Sequence, residues 1–219
     1  MKIAFVCVGD RPYAKYPVAS FKKYLPQATV VQITDHVTPK VEGVDEVIRS
    51  DYDGKNLMLF LIKGFRDIEF DDILITTADD CLLSHDLSDE LYRDYDVAIV
   101  KRHPYQAMSS VGKGLLKFKY EFNYTNGIVI VKNKQFYKDC YDMLLTMEDR
   151  VYSDRKYWEW WGDMACITEV IKTKKYKIRL LSEYDYCYKP EFLGDPGNRA
   201  VRMWHYSGKR KHWMKYHPK

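Results

Sequence analysis

Two stretches of the sequence hold side chains that could do chemistry. In ILITTADDCLL, residues 73–83, Asp79 and Asp80 close an apolar run. Adjacent carboxylates at the end of a buried strand must either be wet or be neutralised by a cation. Such a pair suits a hard divalent ion, Mg²⁺ or Mn²⁺, which in turn holds phosphates, although strand-ending acids that merely begin a turn are at least as common. The second stretch, MWHYSGKRKHW at 203–213, mixes aromatic, imidazole and cationic side chains. It reads as a solvated basic end, a nucleic-acid patch, or a loop that closes over a phosphorylated ligand.

Either stretch needs elements around it. The chain opens on KIAFVCVGD, a β-branched apolar run stopped by Gly9-Asp10, which reads as a buried strand delivering a loop at its carboxyl end. YPVASFKKYLP carries Val18, Phe21 and Leu25 at helical spacing and stops at Pro26. ATVVQITD is a second strand, NLMLFLIKGF a helix, DDILITTADD a third strand, YDVAIVK a fourth and NGIVIVKN a fifth. A helix follows with Phe136, Cys140, Met143 or Leu144, and Met147 on one face. Another, near Trp161, carries Met164, Ala165, Thr168 and Ile171, and KIRLL is a late strand. Alternating strands and helices predict an α/β fold, a largely parallel sheet covered on both faces. Ligands of such sheets bind outside the carboxyl ends of the strands, so the Gly9-Asp10 and Asp79-Asp80 loops are expected to face one crevice.

The 219 residues, 46% of them hydrophobic, suffice for one core, and a single domain over 1–219 is expected. The apolar run from Ile3 to Val8 is too short for a signal-peptide core. No later segment approaches the ~20 apolar residues of a membrane span, so a soluble chain without anchor or stem is expected. Five cysteines (Cys7, Cys81, Cys140, Cys166, Cys187) are odd in number and lack a C-x-x-C pair, which suggests reduced core thiols in the cytoplasm. The sequon Asn123-Tyr124-Thr125 is idle there. The net charge of +4 is mild, but from Arg199 to Lys219 there are seven Lys/Arg and no acid, so this end prefers an anionic partner.

Laid along the third strand, Thr77-Ala78-Asp79 resembles the Asp-x-Asp motif of nucleotide-sugar glycosyltransferases of the GT-A fold, with Thr77 where the first aspartate stands. The resemblance implies Asp79 as principal metal ligand, Asp80 as its substitute if the register slips by one, and Thr77 as the position facing ribose. His205-x-x-Gly208-x-x-Lys211-x-Trp213 is similar to the signature H-x-x-G-x-x-K-P-W of glycosyltransferase family 8, with His212 in place of proline. In that family the histidine ligates the metal, and the glycine and lysine contact the diphosphate. The chemistry agrees. Neutral imidazole is a good Mn²⁺ ligand, Gly208 lets backbone approach a phosphate, and the Lys211 ammonium can meet charge developing on a leaving diphosphate.

Three further segments follow the family's order. VGDRPYAKYPVASFKKYLP resembles its first strand, loop and helix, implying Val8, Asp10 and Tyr13 at uracil and ribose. NYTNGIVIVKNKQFYKD resembles F-N-x-G-V-x-x-x-N, with Asn126-Gly127 at the matching place. YWEWWGDMACITEVI resembles W-x-D-Q-x-x-L-N, with Asp163 at the acid, implying a sugar or acceptor ligand, and Met164 replacing glutamine. Lys55 takes the place of a basic residue that reaches the diphosphate. Taken singly these residues have plainer readings: one tyrosine among 19, a turn before a strand, an acid at a helix start, a surface lysine.

The resemblance implies a single-domain, Rossmann-like GT-A fold and a metal-dependent, retaining transferase of a UDP-linked sugar. Asp79, Asp80 and His205 are its Mn²⁺ or Mg²⁺ positions; Lys211 and Asp163 are its catalytic ones. The acceptor would be a glycan, a protein or a DNA base, docked on the loops after Lys101 and the aromatic stretch 150–163, at least two of whose tryptophans are expected in the core. Residues 199–219 are expected to form a basic closing segment, and loss of 203–219 to cost donor affinity and turnover far more than stability. Thr77, Met164 and the basic end support a second reading, a GT-A-like nucleic-acid or nucleotide-binding module with weak or lost catalysis.

Overall fold

A computed structural model describes residues 1–102, 121–151, 155–197 and 200–217, with the side chains of 148–161 outside that description. Strand β1 (Lys2–Val6), helix α1 (Lys15–Tyr24), β2 (Thr29–Thr34), β3 (Glu46–Arg49), α2 (Leu57–Arg66) and β4 (Leu74–Ala78) form the first half. After β5 (Cys81–Leu83) and α3 (Ser88–Leu91) come β6 (Val97–Lys101), β7 (Tyr124–Val131), α4 (Phe136–Val151), α5 (Arg155–Lys172), β8 (Ile178–Ser182) and α6 (Glu183–Tyr186). The chain ends with β9 (Met203–His205) and a 3₁₀ helix, Gly208–Tyr216.

Seven strands make one sheet in the order β3-β2-β1-β4-β7-β6-β8. All neighbouring pairs are parallel except those of β7, which runs antiparallel to both β4 and β6. The expected α/β fold with a mixed, mostly parallel sheet is therefore present. Because Ile3–Val6 of β1 and Ile128–Val131 of β7 are covered on both faces, these stretches are apolar at every position instead of alternating. Ala4 and Val6 point into one core with Phe60, Ile62 and Phe65 of α2, Phe136 and Leu144 of α4, and Ile167 of α5. Ile3 and Phe5 point into the other, against Val18 and Phe21 of α1. Each fully buried side chain of this size stabilises the fold by about 1.5–3 kcal/mol.

The sequence pattern does not reveal β3, β5 and β9. The last two form a separate antiparallel pair in the register Cys81↔His205, Leu82↔Trp204, Leu83↔Met203. Around it Leu82, Val201, Trp204, Tyr206 and Met214 build a third, small core. Met203, Trp204, Tyr206 and Met214 of this end are thus buried in the packed structure. All five cysteines are free and buried, and among the described residues no helix is long and apolar enough to cross a membrane.

Candidate active site

Strands β1 and β4 lie side by side with Val6 opposite Ala78, so the loops after them leave the sheet together. One carries Gly9, Asp10 and Arg11; the other is the tight turn Asp79-Asp80 into β5. The register of β5 with β9 then lays His205 beside this turn, and the backbone N–H of Tyr206 bonds to the Asp80 carbonyl at 2.9 Å. His205 Nε2 is 3.2 Å from Asp80 Oδ1. From the 3₁₀ helix Lys211 reaches back, its Nζ 3.0 Å from Asp79 Oδ1 and 3.2 Å from Asp80 Oδ2. Arg11 Nε closes the group 3.6 Å from Asp79 Oδ2. The carboxyl pair is thus neutralised by the protein's own cations, the second of the two outcomes that burial allows.

The electrostatics separate the two acids. Burial and the neighbouring Asp80 charge raise the Asp79 carboxyl, with Lys211 and Arg11 pulling the other way. Burial would raise Asp80 too, but His205 and Lys211 outweigh it and hold Asp80 below the usual carboxylate range. Burial works against protonation of His205, Cys187 and Asp80 work for it, and the ion pair with Asp80 leaves the imidazole's pKa well above its ordinary value. Burial likewise opposes the Lys211 charge, and Asp80 and Asp79 restore it. The pairing of His205 with Asp80, the substitute position in the sequence reading, follows from the strand register.

Asp80, Cys81 and His205 bring potential ligand atoms within 4.8 Å of one another. Burial pushes the Cys81 thiol well above its usual range, and its sulfur is a soft ligand that suits hard divalent ions poorly. The donors left are the carboxylates of Asp79 and Asp80 and one imidazole, a hard oxygen and nitrogen set that fits Mn²⁺ or Mg²⁺.

Other expected residues fall into two groups. Asn126 and Asp163 meet, Asn126 Nδ2 donating to Asp163 Oδ2 at 3.2 Å, and Gly127 sits against Cys187 and His205. Asp163 is buried, which pushes its carboxyl up to about 6. Its Oδ1 and that of Asn126 are buried acceptors without a donor among the described residues. Tyr13 and Trp213 pack on the small core of Trp204 and Tyr206. Val8 accepts from Arg11 through its carbonyl. Asp10 is exposed and lines, with Cys7, Gly9, Arg11 and Thr38, a cavity of about 180 Å³ beside β1 and β2.

The remainder lie apart from this grouping. Thr77 is buried and donates its hydroxyl to the Gly127 carbonyl at 2.8 Å, tying β4 to β7. Lys55 is exposed ahead of α2, its backbone N–H bonded to Asp53. Gly208 opens the 3₁₀ helix at φ +64, with nothing within 4 Å of the place a Cβ would take. Residues 103–120 of the loop after Lys101 and the side chains of 150–161 in the aromatic stretch lie outside the described residues, and with them the docking and core roles expected there. Arg11 and Cys187 were missed. Arg11 had only its place beside Gly9-Asp10 to signal it, and Cys187 had nothing.

Comparison with solved structures places this geometry in a known fold. The chain is similar to the galactosyltransferase LgtC in complex with donor and acceptor sugar analogues, with TM-score 0.61 and 13% identity over 95% of this chain and 88% of that one. It is similar to an active-site mutant of LgtC at TM-score 0.63 and 12% identity, over 98% of this chain and 94% of the other. The glycosyltransferase GlyE of Streptococcus pneumoniae TIGR4 matches at TM-score 0.59 and 15% identity, with 98% of this chain covering 60% of GlyE. No protein-family model and no curated protein matches the sequence. The fold is that of the GT-A glycosyltransferases.

Proposed function

We propose that the chain is a metal-dependent glycosyltransferase that moves a sugar, with retention of configuration, from a nucleoside-diphosphate donor, a UDP-sugar, to a glycan, protein or DNA base. The observation that carries this reading is the meeting of Asp79 and Asp80 with His205 and Lys211, from the far end of the sequence, within 3.2 Å at the carboxyl end of β4. Such ends are where open α/β sheets bind ligands. Asp80, His205 and Asp79 would hold Mn²⁺ or Mg²⁺, which when bound neutralises diphosphate charge.

The protein's own groups do the rest. Lys211 shifts its hydrogen bonds from the two carboxylates to the diphosphate oxygen that takes the bonding electron pair, and Arg11 supplies a second positive charge at the same edge. Gly9, Asp10 and Thr38 line a cavity that suits the base and ribose. The acceptors of Asn126 and Asp163 that have no donor among the described residues suit hydroxyls of the transferred sugar, whose anomeric carbon gains positive charge as the bond breaks. Five free, buried cysteines support a cytoplasmic protein.

A screen of nucleotide-sugars with and without Mn²⁺, scored by hydrolysis and thermal stabilisation, tests the reading. One donor should stabilise the protein and be hydrolysed only with metal. Polyanion binding of steep salt dependence with no donor hydrolysed would favour the nucleic-acid module instead.

A further inference from the structure

His205 has two ring nitrogens, and only one faces the carboxylates. Its Nε2 points at Asp80, and its Nδ1 lies 3.2 Å from the sulfur of Cys187, just past α6. The place is built tightly. Cys187 is buried, its backbone N–H is tied to the Glu183 carbonyl, and the backbone N–H of His205 bonds to the Tyr188 carbonyl at 2.7 Å. A Cβ on Gly127 would stand 2.7 Å from the Cys187 sulfur and 3.8 Å from His205 Nδ1. Glycine at 127 is therefore what admits the sulfur to the imidazole.

We infer that Cys187 is the positioning residue for His205, its sulfur accepting the Nδ1 proton so that the Nε2 lone pair is presented to the divalent cation. This rests on the proposed role of His205 as a ligand. The opposite arrangement, a thiol proton donated to Nδ1, leaves the hydrogen on Nε2, where no metal can bind. Metal-ligating histidines donate their other N–H to an acceptor that fixes tautomer and ring orientation, and loss of that acceptor weakens the metal about 10–100-fold. Cys187 acts through His205 and touches neither cation nor donor.

The test is Mn²⁺ affinity at saturating UDP, read by electron paramagnetic resonance, with UDP affinity in EDTA as the second readout. Cys187→Ala should weaken Mn²⁺ about 10–100-fold and leave UDP affinity in EDTA unchanged, and Cys187→Ser, which keeps an acceptor, should recover most of the loss. Gly127→Ala, which pushes the sulfur off Nδ1, should show the same metal-specific loss and serves if Cys187→Ala fails to fold. Wild-type Mn²⁺ affinity in either variant, with His205→Ala abolishing it, overturns the inference and leaves the proposed function standing. Equal loss of UDP affinity with and without metal also overturns it, since that marks a packing role. Wild-type Mn²⁺ affinity in His205→Ala removes the ligand reading itself.

Discussion

Lys211 Nζ lies 3.0 Å from Oδ1 of Asp79, though 132 residues separate them in the chain. The ammonium also reaches Asp80, so Lys211 neutralises the same two carboxylates that the proposed function assigns to a divalent cation. On the proposed function, lysine and metal would compete for the carboxylates until a diphosphate offered the lysine another partner. Lys211→Met should bind Mn²⁺ more tightly than the native protein when no nucleotide is present, yet turn over about 10²–10³-fold more slowly. Calorimetry of Mn²⁺ alone, beside donor hydrolysis, separates the two effects; weaker Mn²⁺ binding in the variant would refute the competition.

Asp80 and Asp79 should separate in stability. Asp80 is buried between His205 and Lys211, and breaking a buried pair by removing one partner costs about 3–5 kcal/mol. Asp79 is less buried and is raised by burial and by Asp80, so its own charge is held less favourably. Asp80→Ala should lower the urea midpoint strongly and lose metal-dependent UDP binding, whereas Asp79→Ala should lose binding with a smaller change in midpoint. The reverse order of midpoints contradicts the assignment of Asp80 as His205's partner.

Asp163 makes stability depend on pH. Its folded carboxyl is raised to about 6 from 3.8, so the folded state holds the proton more tightly than the unfolded chain does. The resulting stabilisation is complete below pH about 4 and lost as pH rises through about 6. Above that range the buried charge costs on the order of 3 kcal/mol. Asp163→Asn keeps an acceptor for Asn126 and should be more stable than the native protein at pH 8, with the gain vanishing at pH 4. Urea unfolding at the two pH values reads this, and an equal difference at both would remove the buried-charge account.

Two glycines should respond differently to alanine. Gly208 has φ +64 and open space where a Cβ would go, so Gly208→Ala should cost only backbone strain, about 1–2 kcal/mol. Gly197 has φ +59, and a Cβ there would lie 2.5 Å from the buried Trp204 ring. Gly197→Ala should cost more, because the ring must move within the small core that carries His205. Melting temperatures of the pair decide it; equal shifts would mean the ring yields freely.

How far the chain could be read follows from the range of each signal. Strands β1, β2, β4, β6 and β7 were legible because strands buried on both faces carry long apolar runs, β8 from the short apolar run Ile178-x-Leu180-Leu181, and α1, α2, α4 and α5 because their apolar residues recur at helical spacing. The edge strand β3 and the three-residue strands β5 and β9 are too short for any periodicity to register. Thr77 matched a ligand position in the motif, but the pleat turns its hydroxyl to the Gly127 carbonyl.

The sequence by itself determined the order of elements, the acids at the end of β4, and the local spacing of His205, Gly208 and Lys211 on one segment. Tertiary structure alone decided that β7 runs antiparallel, that His205 faces Asp80, and that Arg11 and Cys187 join the group. The reason is the pairing of β5 with β9. Side chains alternate faces along a strand, so a shift of one residue exchanges which acid meets the imidazole. That register is set by the burial of Leu82, Met203 and Trp204 against residues far away in the chain.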